Sequence, residues 1–359
     1  MTKGVRPVGE PARGARPRGE QRPVVSRSGT PELDAPLWFP DRTGADAGAE
    51  PSTLAKVDQS RLLRPEDYLR ESRQPPILGW QRIAWRLGAR GVRPGARERR
   101  HRRWARLSRR PLAAPKVIAV FSPKGGVGKS TTALQLGQVL ARLRGDLIAA
   151  LDANPDSGNL IKRVAEPYSP GSASELRCYS EHVQRYADLM PYVTEAEGGL
   201  CVVRSDTAAA GRLGPVEYRE VLGVLSRFYS IIVVDLGTGM REAAFLSIVE
   251  AADAVVAVTR PSFDAAEVLV EGMDWLARRF PLKVATSTVV VNASHTVAGE
   301  LDLDRLEAEL SRQVAHVLRV PHDRHLAAGG VPQWLLLSHH TQDAYLKLAA
   351  TVVDSLPEG

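Results

Sequence analysis

Residues 116–145 read "KVIAVFSPKGGVGKSTTALQLGQVLARLRG". After Lys116 the opening residues are apolar and mostly β-branched, as in a short strand buried on both faces. Glycines then crowd a turn at Gly125, Gly126 and Gly128. Beyond it Leu134, Leu136, Val139, Leu140 and Leu143 recur at helical spacing until Gly145. A strand, a glycine-rich turn and a helix in that order place backbone N–H groups and a helix N-terminus where an anion can sit. Glycine at these positions, with Val127 between, lets the backbone approach phosphate oxygens that any Cβ would block. Lys129 reaches the outer phosphates and Ser130 offers a hydroxyl to Mg2+. One position departs from the general pattern G-x-x-x-x-G-K-[ST], because Pro123 stands where its first glycine belongs.

Working outward, similar apolar runs recur: "LIAALDAN" at 147–154, "GLCVVRS" at 199–205, "SIIVVDLG" at 230–237, "DAVVAVTR" at 253–260 and "TSTVVVNAS" at 286–294. Amphipathic stretches such as "PVEYREVLGVLSRFY" and "DAAEVLVEGMDWLARRF" separate them. Continuous rather than alternating apolarity means strands covered on both sides. The expected fold is therefore α/β, a doubly wound, mostly parallel sheet flanked by helices. In such sheets ligands lie beyond the carboxyl ends of the strands, so Lys129, Asp152, Asp235 and Asn292 should converge there.

Two lysines bracket the loop, and one phosphate cradle needs only Lys129. The wording "KGGVGKSTT" resembles the deviant Walker A loop of the MinD/ParA family of P-loop ATPases. That resemblance extends over residues 117 to about 350, and it implies ATP and Mg2+ as ligands. It also implies that Lys124 crosses a dimer interface to the phosphates held by a second copy, and that Thr131 contacts the α-phosphate. "IIVVDLGTG" looks like the Walker B strand, with Asp235 orienting Mg2+ through water; Gly237 stands where the family often has proline. Asn292 matches an asparagine that hydrogen-bonds adenine, and no N-K-x-D follows to favour guanine. "RVPHDRHLAAGG" resembles the late strand and loop that close over the base, which brings in Pro321. In the first switch, "LDANPDSGNL" keeps Asp152 beside Mg2+ but has Asn154 where a second aspartate is expected. An amide can position a water but cannot take its proton. Slow ATP hydrolysis is the expectation, with Asp156 as a substitute nearby.

The chain is also asymmetric in charge. Residues 1–116 hold 26 Lys+Arg against 12 Asp+Glu, and the remainder 22 against 29. Up to residue 75 the composition is Pro, Gly, Arg and Ala with sparse apolar residues, which reads as a disordered tail. Residues 76–115 form a basic Trp/Arg-rich segment, with twelve arginines and only Glu98 between Arg82 and Arg110. "RERRHRRWARLSRR" fits a helix. Such a segment suits nucleic acid, anionic membrane, or an acidic protein surface, including that of residues 116–359, the ATPase-like domain. "GW" ahead of an Arg-rich stretch, then the loop, then "LDANPD" is similar to MinD-like ATPases found beside actinobacterial type VII (ESX) secretion systems. It implies an accessory or regulatory role on the cytosolic side of a secretion apparatus, and the expected protein partner is a secretion or division component.

Cys178 and Cys201 have neither metal spacing nor a disulfide framework. The N-terminus lacks the apolar core of a signal peptide, and no apolar run approaches the ~20 residues of a spanning helix. A cytoplasmic protein is expected, with any membrane contact peripheral. The histidines, including His322, His325, His339 and His340, read as surface or loop residues. Leu346, Ala349 and Val353 read as the buried stripe of a C-terminal helix. Two further readings stay open: a non-hydrolysing scaffold clamped by nucleotide, and a DNA-partitioning ATPase that grips nucleic acid through the basic segment.

Overall fold

A computed structural model describes residues 79–87, 93–154, 160–164, 171–205, 213–293 and 301–358. The tail up to residue 75 and Asp156 lie outside these residues. The strands are β1 Lys116–Phe121, β2 Ile148–Ala153, β3 Thr194–Ala196, β4 Leu200–Val203, β5 Ile231–Leu236, β6 Ala254–Thr259, β7 Thr288–Asn292 and β8 His316–Val320. They form one sheet in the order β3-β4-β2-β5-β1-β6-β7-β8. Every pairing is parallel except β3 with β4, an antiparallel hairpin at the edge. The expected doubly wound architecture is present. The short β3 was not legible, because three residues carry no period.

The helices are α1 Gly79–Arg86, α2 Ala96–Ser108, α3 Lys129–Leu143, α4 Ala173–Cys178, α5 Tyr186–Leu189, α6 Pro215–Leu225, α7 Ala243–Ala251, α8 Phe263–Ala277, α9 Pro281–Ala285, α10 Leu303–Leu310, α11 Arg324–Ala327 and α12 His339–Asp354. Alternation within β1 explains the layers. Val117, Ala119 and Phe121 face one core, with Leu222 and Leu225 of α6, Ile248 of α7 and Leu269 and Met273 of α8. Ile118 and Val120 face the other, with Leu134, Leu136 and Leu140 of α3 and Tyr345, Ala349 and Val353 of α12. Both faces are covered, so neither could be polar.

Helix α3 is buried on nearly every side from Lys129 to Leu140. The sheet lies beneath it, and α12 with α2 packs over it. Gly137 belongs to this crowding, since a Cβ there would come within 2.9 Å of Leu200 Cδ2. Gln135 and Gln138, polar residues in a helix interior layer, bond to each other at 2.8 Å.

Of the partners open to the basic segment, residues 96–110 take the nearest: the domain behind them. Arg97 Nε donates to Asp343 Oδ1 at 3.0 Å, and its Nη2 donates to the same oxygen at 2.9 Å. His101 Nε2 lies 2.5 Å from that oxygen. Trp104 packs against the core around α3 and α12. Three arginines then cap helix ends. Arg110 donates to Val353 O and Leu356 O at the end of α12, at 2.9 and 2.6 Å. Arg109 donates to Leu143 O at the end of α3, at 2.5 Å. Arg144 returns the favour to α2, donating to Ser108 O and Arg110 O at 2.8 and 2.9 Å. Guanidinium groups at helix C-termini satisfy orphan carbonyls and oppose the negative end of each dipole.

Candidate functional site

The loop after β1 carries two left-handed residues, Gly126 at φ 74° and Gly128 at φ 85°. A side chain would strain that backbone, and its reversal turns successive N–H groups to one side. A Cβ built at Gly125 or Gly126 would meet nothing within 4 Å, so the loop borders open space rather than protein. Val127, by contrast, is buried and anchors the loop to the α3 face.

Beneath the loop, Lys129 Nζ donates to Asp235 Oδ1 at 2.6 Å, with both groups buried. Asp235 and Asp152 are register partners on the adjacent strands β5 and β2, at the carboxyl end of the sheet. The ammonium is bonded to Asp235, and Asp152 lies buried beside that pair. Burial, and then the charge of Asp235, pushes Asp152 up to about 7; hydrogen bonds from Asn154 and Leu160 and the Lys129 charge oppose the rise. Asp152 also has a structural task that the sequence did not disclose. It accepts the N–H of Asn154 on Oδ1 and the N–H of Leu160 on Oδ2, both at 3.0 Å. One carboxylate thus holds Asn154 and Leu160 together.

Two buried polar atoms here lack a partner among the described residues: Thr131 Oγ1 and Asp235 Oδ2. A hydroxyl donor and a carboxylate acceptor, desolvated and unspent, cost free energy unless something completes them. A phosphate for the first and a divalent cation for the second would do so. Ser130 is buried at the same helix start. The residues present thus fit a nucleotide with Mg2+.

Asn292 ends β7 and is buried; its Nδ2 lies 3.4 Å from both Gly128 O and Thr132 Oγ1. This ties the end of β7 to the loop. Pro321 follows β8, next to Asn292, whose register partner is Val320. Behind it the buried Asp323 fixes the turn, accepting the N–H groups of His325, Leu326 and Ser338. Burial alone would raise the Asp323 carboxyl, but the bonds from Ser338, Thr341, Leu326 and His325 outweigh it and hold the group below its ordinary value. Arg163 is a cation that sequence reasoning missed. It is half-buried, and burial lowers its pKa against the pull of Asp235 and Tyr345.

Lys124 is not gathered into this cluster. Its ammonium pairs with Asp264 in the first turn of α8. Arg260 Nη2 reaches the same carboxylate at 3.3 Å, and together with Ser262 these neighbours hold Asp264 well below the usual carboxylate range, Lys124 acting most. An acid opening the helix after β6 was the available signal for this pairing. Among the described residues no cluster of His, Cys, Asp and Glu forms a ready-made metal site. None of the helices there is long and apolar enough to cross a membrane.

Comparison with known proteins places these features in context. The family model of the CobQ/CobB/MinD/ParA nucleotide binding domain matches residues 118–320. The ESX-1 secretion-associated protein EspI of Mycobacterium tuberculosis is 31% identical over 257 residues, which is 70% of this chain but 38% of EspI. The chain thus spans well under half of that relative. Among solved structures, the fold is similar to a ParA family ATPase from Chlorobium tepidum (TM-score 0.56, 18% identity, 66% of this chain and 98% of that one). It is also similar to the septum site-determining protein MinD from Pyrococcus horikoshii, solved with Mg-ADP (TM-score 0.51, 18% identity, 66% and 94%).

Proposed function

The chain belongs to the CobQ/CobB/MinD/ParA nucleotide-binding family, and from that premise we propose an ATP-dependent switch that pairs with a second copy of itself. One observation carries this reading: the buried Lys129–Asp235–Asp152 cluster under a left-handed glycine loop, with Thr131 Oγ1 and Asp235 Oδ2 left unspent. The loop from Gly125 to Gly128 and Lys129 hold the phosphates, Thr131 donates to the α-phosphate, and Asn292 with Pro321 borders the adenine. Ser130, Asp152 and Asp235 would hold Mg2+, which supplies positive charge against the β- and γ-phosphates. When nucleotide enters, Lys129 exchanges Asp235 for phosphate, and the freed carboxylate gains a use for both of its oxygens.

Lys124 gives the switch its dependence on a second copy. Two triphosphates held face to face concentrate negative charge, and a lysine lent from each side offsets it. Hydrolysis is slow in this reading, because Asn154 can orient a water by hydrogen bonding but takes no proton from it. By its likeness to EspI, the switch serves a secretion apparatus from the cytoplasmic side, and the basic segment reaches the partner surface. Asn154 supports a second reading too, a scaffold that keeps its ATP uncleaved.

The test uses the full chain with Mg·ATP. Nucleotide retention, phosphate release and molecular mass are measured for the parent, Lys129→Ala and Lys124→Ala. The expected result is nucleotide binding lost in Lys129→Ala, and binding kept but mass doubling lost in Lys124→Ala. Tight retention with no phosphate release selects the scaffold. Mass doubling that survives Lys124→Ala removes the shared-lysine arrangement.

A further inference from the structure

Folding sorts the arginines of α2 into two sets. Arg97 faces α12 and Arg102 pairs with Glu98. Arg99, Arg100, Arg103 and Arg106 are exposed, and among the described residues none of them has an acidic partner. Their spacing puts them on one side of the helix, along about 10 Å of its axis. Arg99 Nη1 donates to Pro94 O at 2.6 Å, which holds the head of the stripe in place. Like charges one turn apart repel, and no acid is interleaved to relieve them. The ends of α2 are nevertheless pinned, by Arg97 and His101 at Asp343 and by the arginine caps around residues 108–110. The stripe is therefore presented rigidly and outward.

Just before it, α1 offers a different chemistry. Ile83 is 62% exposed and Leu87 82% exposed. The N–H of Leu87 bonds back to Ile83 O at 3.0 Å, so the two side chains stand one turn apart. Arg82 and Arg86, both exposed, flank them. Two neighbouring aliphatic side chains flanked by arginines are the chemistry that an interfacial amphipathic helix offers to a lipid surface.

We propose that α1 and the outer stripe of α2 dock on an anionic lipid bilayer. Arg99, Arg100, Arg103 and Arg106 lie against headgroup phosphates, while Ile83 and Leu87 enter the interface between headgroups and acyl chains. A nucleic-acid backbone would accept the arginines but offers nothing to Ile83 and Leu87. That difference is what selects lipid. The contact is peripheral, and it uses no residue of the nucleotide cluster. It takes up the anionic-membrane alternative for the basic segment and does not rest on nucleotide binding.

The experiment is co-sedimentation of the full chain with vesicles of phosphatidylglycerol and phosphatidylcholine, against vesicles of phosphatidylcholine alone. The parent should bind only the anionic vesicles. Replacing Arg99, Arg100, Arg103 and Arg106 with Gln should weaken binding about tenfold or more, since each basic residue near such a surface contributes separately. Ile83→Asn with Leu87→Asn should weaken it further and remove the part that persists in high salt. All variants should keep the parent's helical content and nucleotide binding, which shows that they fold. Equal binding to both vesicle types, or no binding, overturns the proposal. So does a shift of duplex DNA that the arginine variant loses and the Ile83/Leu87 variant keeps. A chain that binds vesicles but not ATP would instead fail the nucleotide reading alone.

Discussion

Asp152 combines two demands on one carboxylate. It must accept the backbone N–H groups of Asn154 and Leu160, and it must sit beside Asp235 in a buried site. Its folded pKa of about 7 lies above the ordinary carboxylate value of 3.8. Between those values the folded chain keeps a proton that the unfolded chain has lost. Stability from this group therefore falls as pH rises through that window, and the full penalty stands above it. Asp152→Asn removes the titration. Comparing denaturant midpoints of parent and variant from about pH 4 to pH 8 should show the parent losing ground, with a slope of up to about 1.4 kcal/mol per pH unit. Parallel pH profiles would show that the group is ionised throughout. The carboxylate at 152 was legible from its place at the end of an apolar run. Its backbone bonds were not, because they depend on where the chain returns at Leu160.

Helix α2 shows what an element gains from its neighbours. Its sequence is so arginine-rich that self-repulsion should disfavour the helix in isolation, and most helical stability comes from packing in any case. Trp104, the Asp343 contacts and the reciprocal caps supply that packing. Arg110→Ala should leave the last carbonyls of α12 to water and lower unfolding free energy by about 1 kcal/mol, as for other charge-assisted helix-end bonds. Arg144→Ala, which uncaps α2 itself, should cost a similar amount and raise proteolysis of residues 93–110. An unchanged denaturant midpoint in both variants would mean that water serves these carbonyls equally well. The stretch "RERRHRRWARLSRR" reads as fitting a helix, with docking on the domain behind it as one of several open partners. That Asp343 receives it was not readable, since the two lie some 240 positions apart in sequence and only the packing of α12 on α3 brings them together.

At the scale of the molecule, Lys124 is held within its own chain by Asp264, while the proposed switch needs it at a second copy. Both groups are substantially exposed, so the pair is a weak restraint that salt weakens further. Asp264→Asn should let Lys124 leave more readily. Mass doubling should then occur at about two- to fivefold less ATP in low salt, with the difference shrinking as salt rises. Light scattering across an ATP titration measures this, and an unchanged or higher ATP requirement would show that Asp264 does not restrain the lysine.

The residues alone determined the doubly wound sheet, because strands buried on both faces must be apolar throughout and the run–helix alternation leaves few other topologies. They also announced the glycine loop, Lys129 and the two aspartates, whose positions follow from chain-local geometry at strand ends. Only the folded chain decided which charge answers which: Lys129 with Asp235, Lys124 with Asp264, Arg97 with Asp343. Ion pairs depend on distance in space, and local periodicity says nothing about which distant carboxylate a lysine will meet.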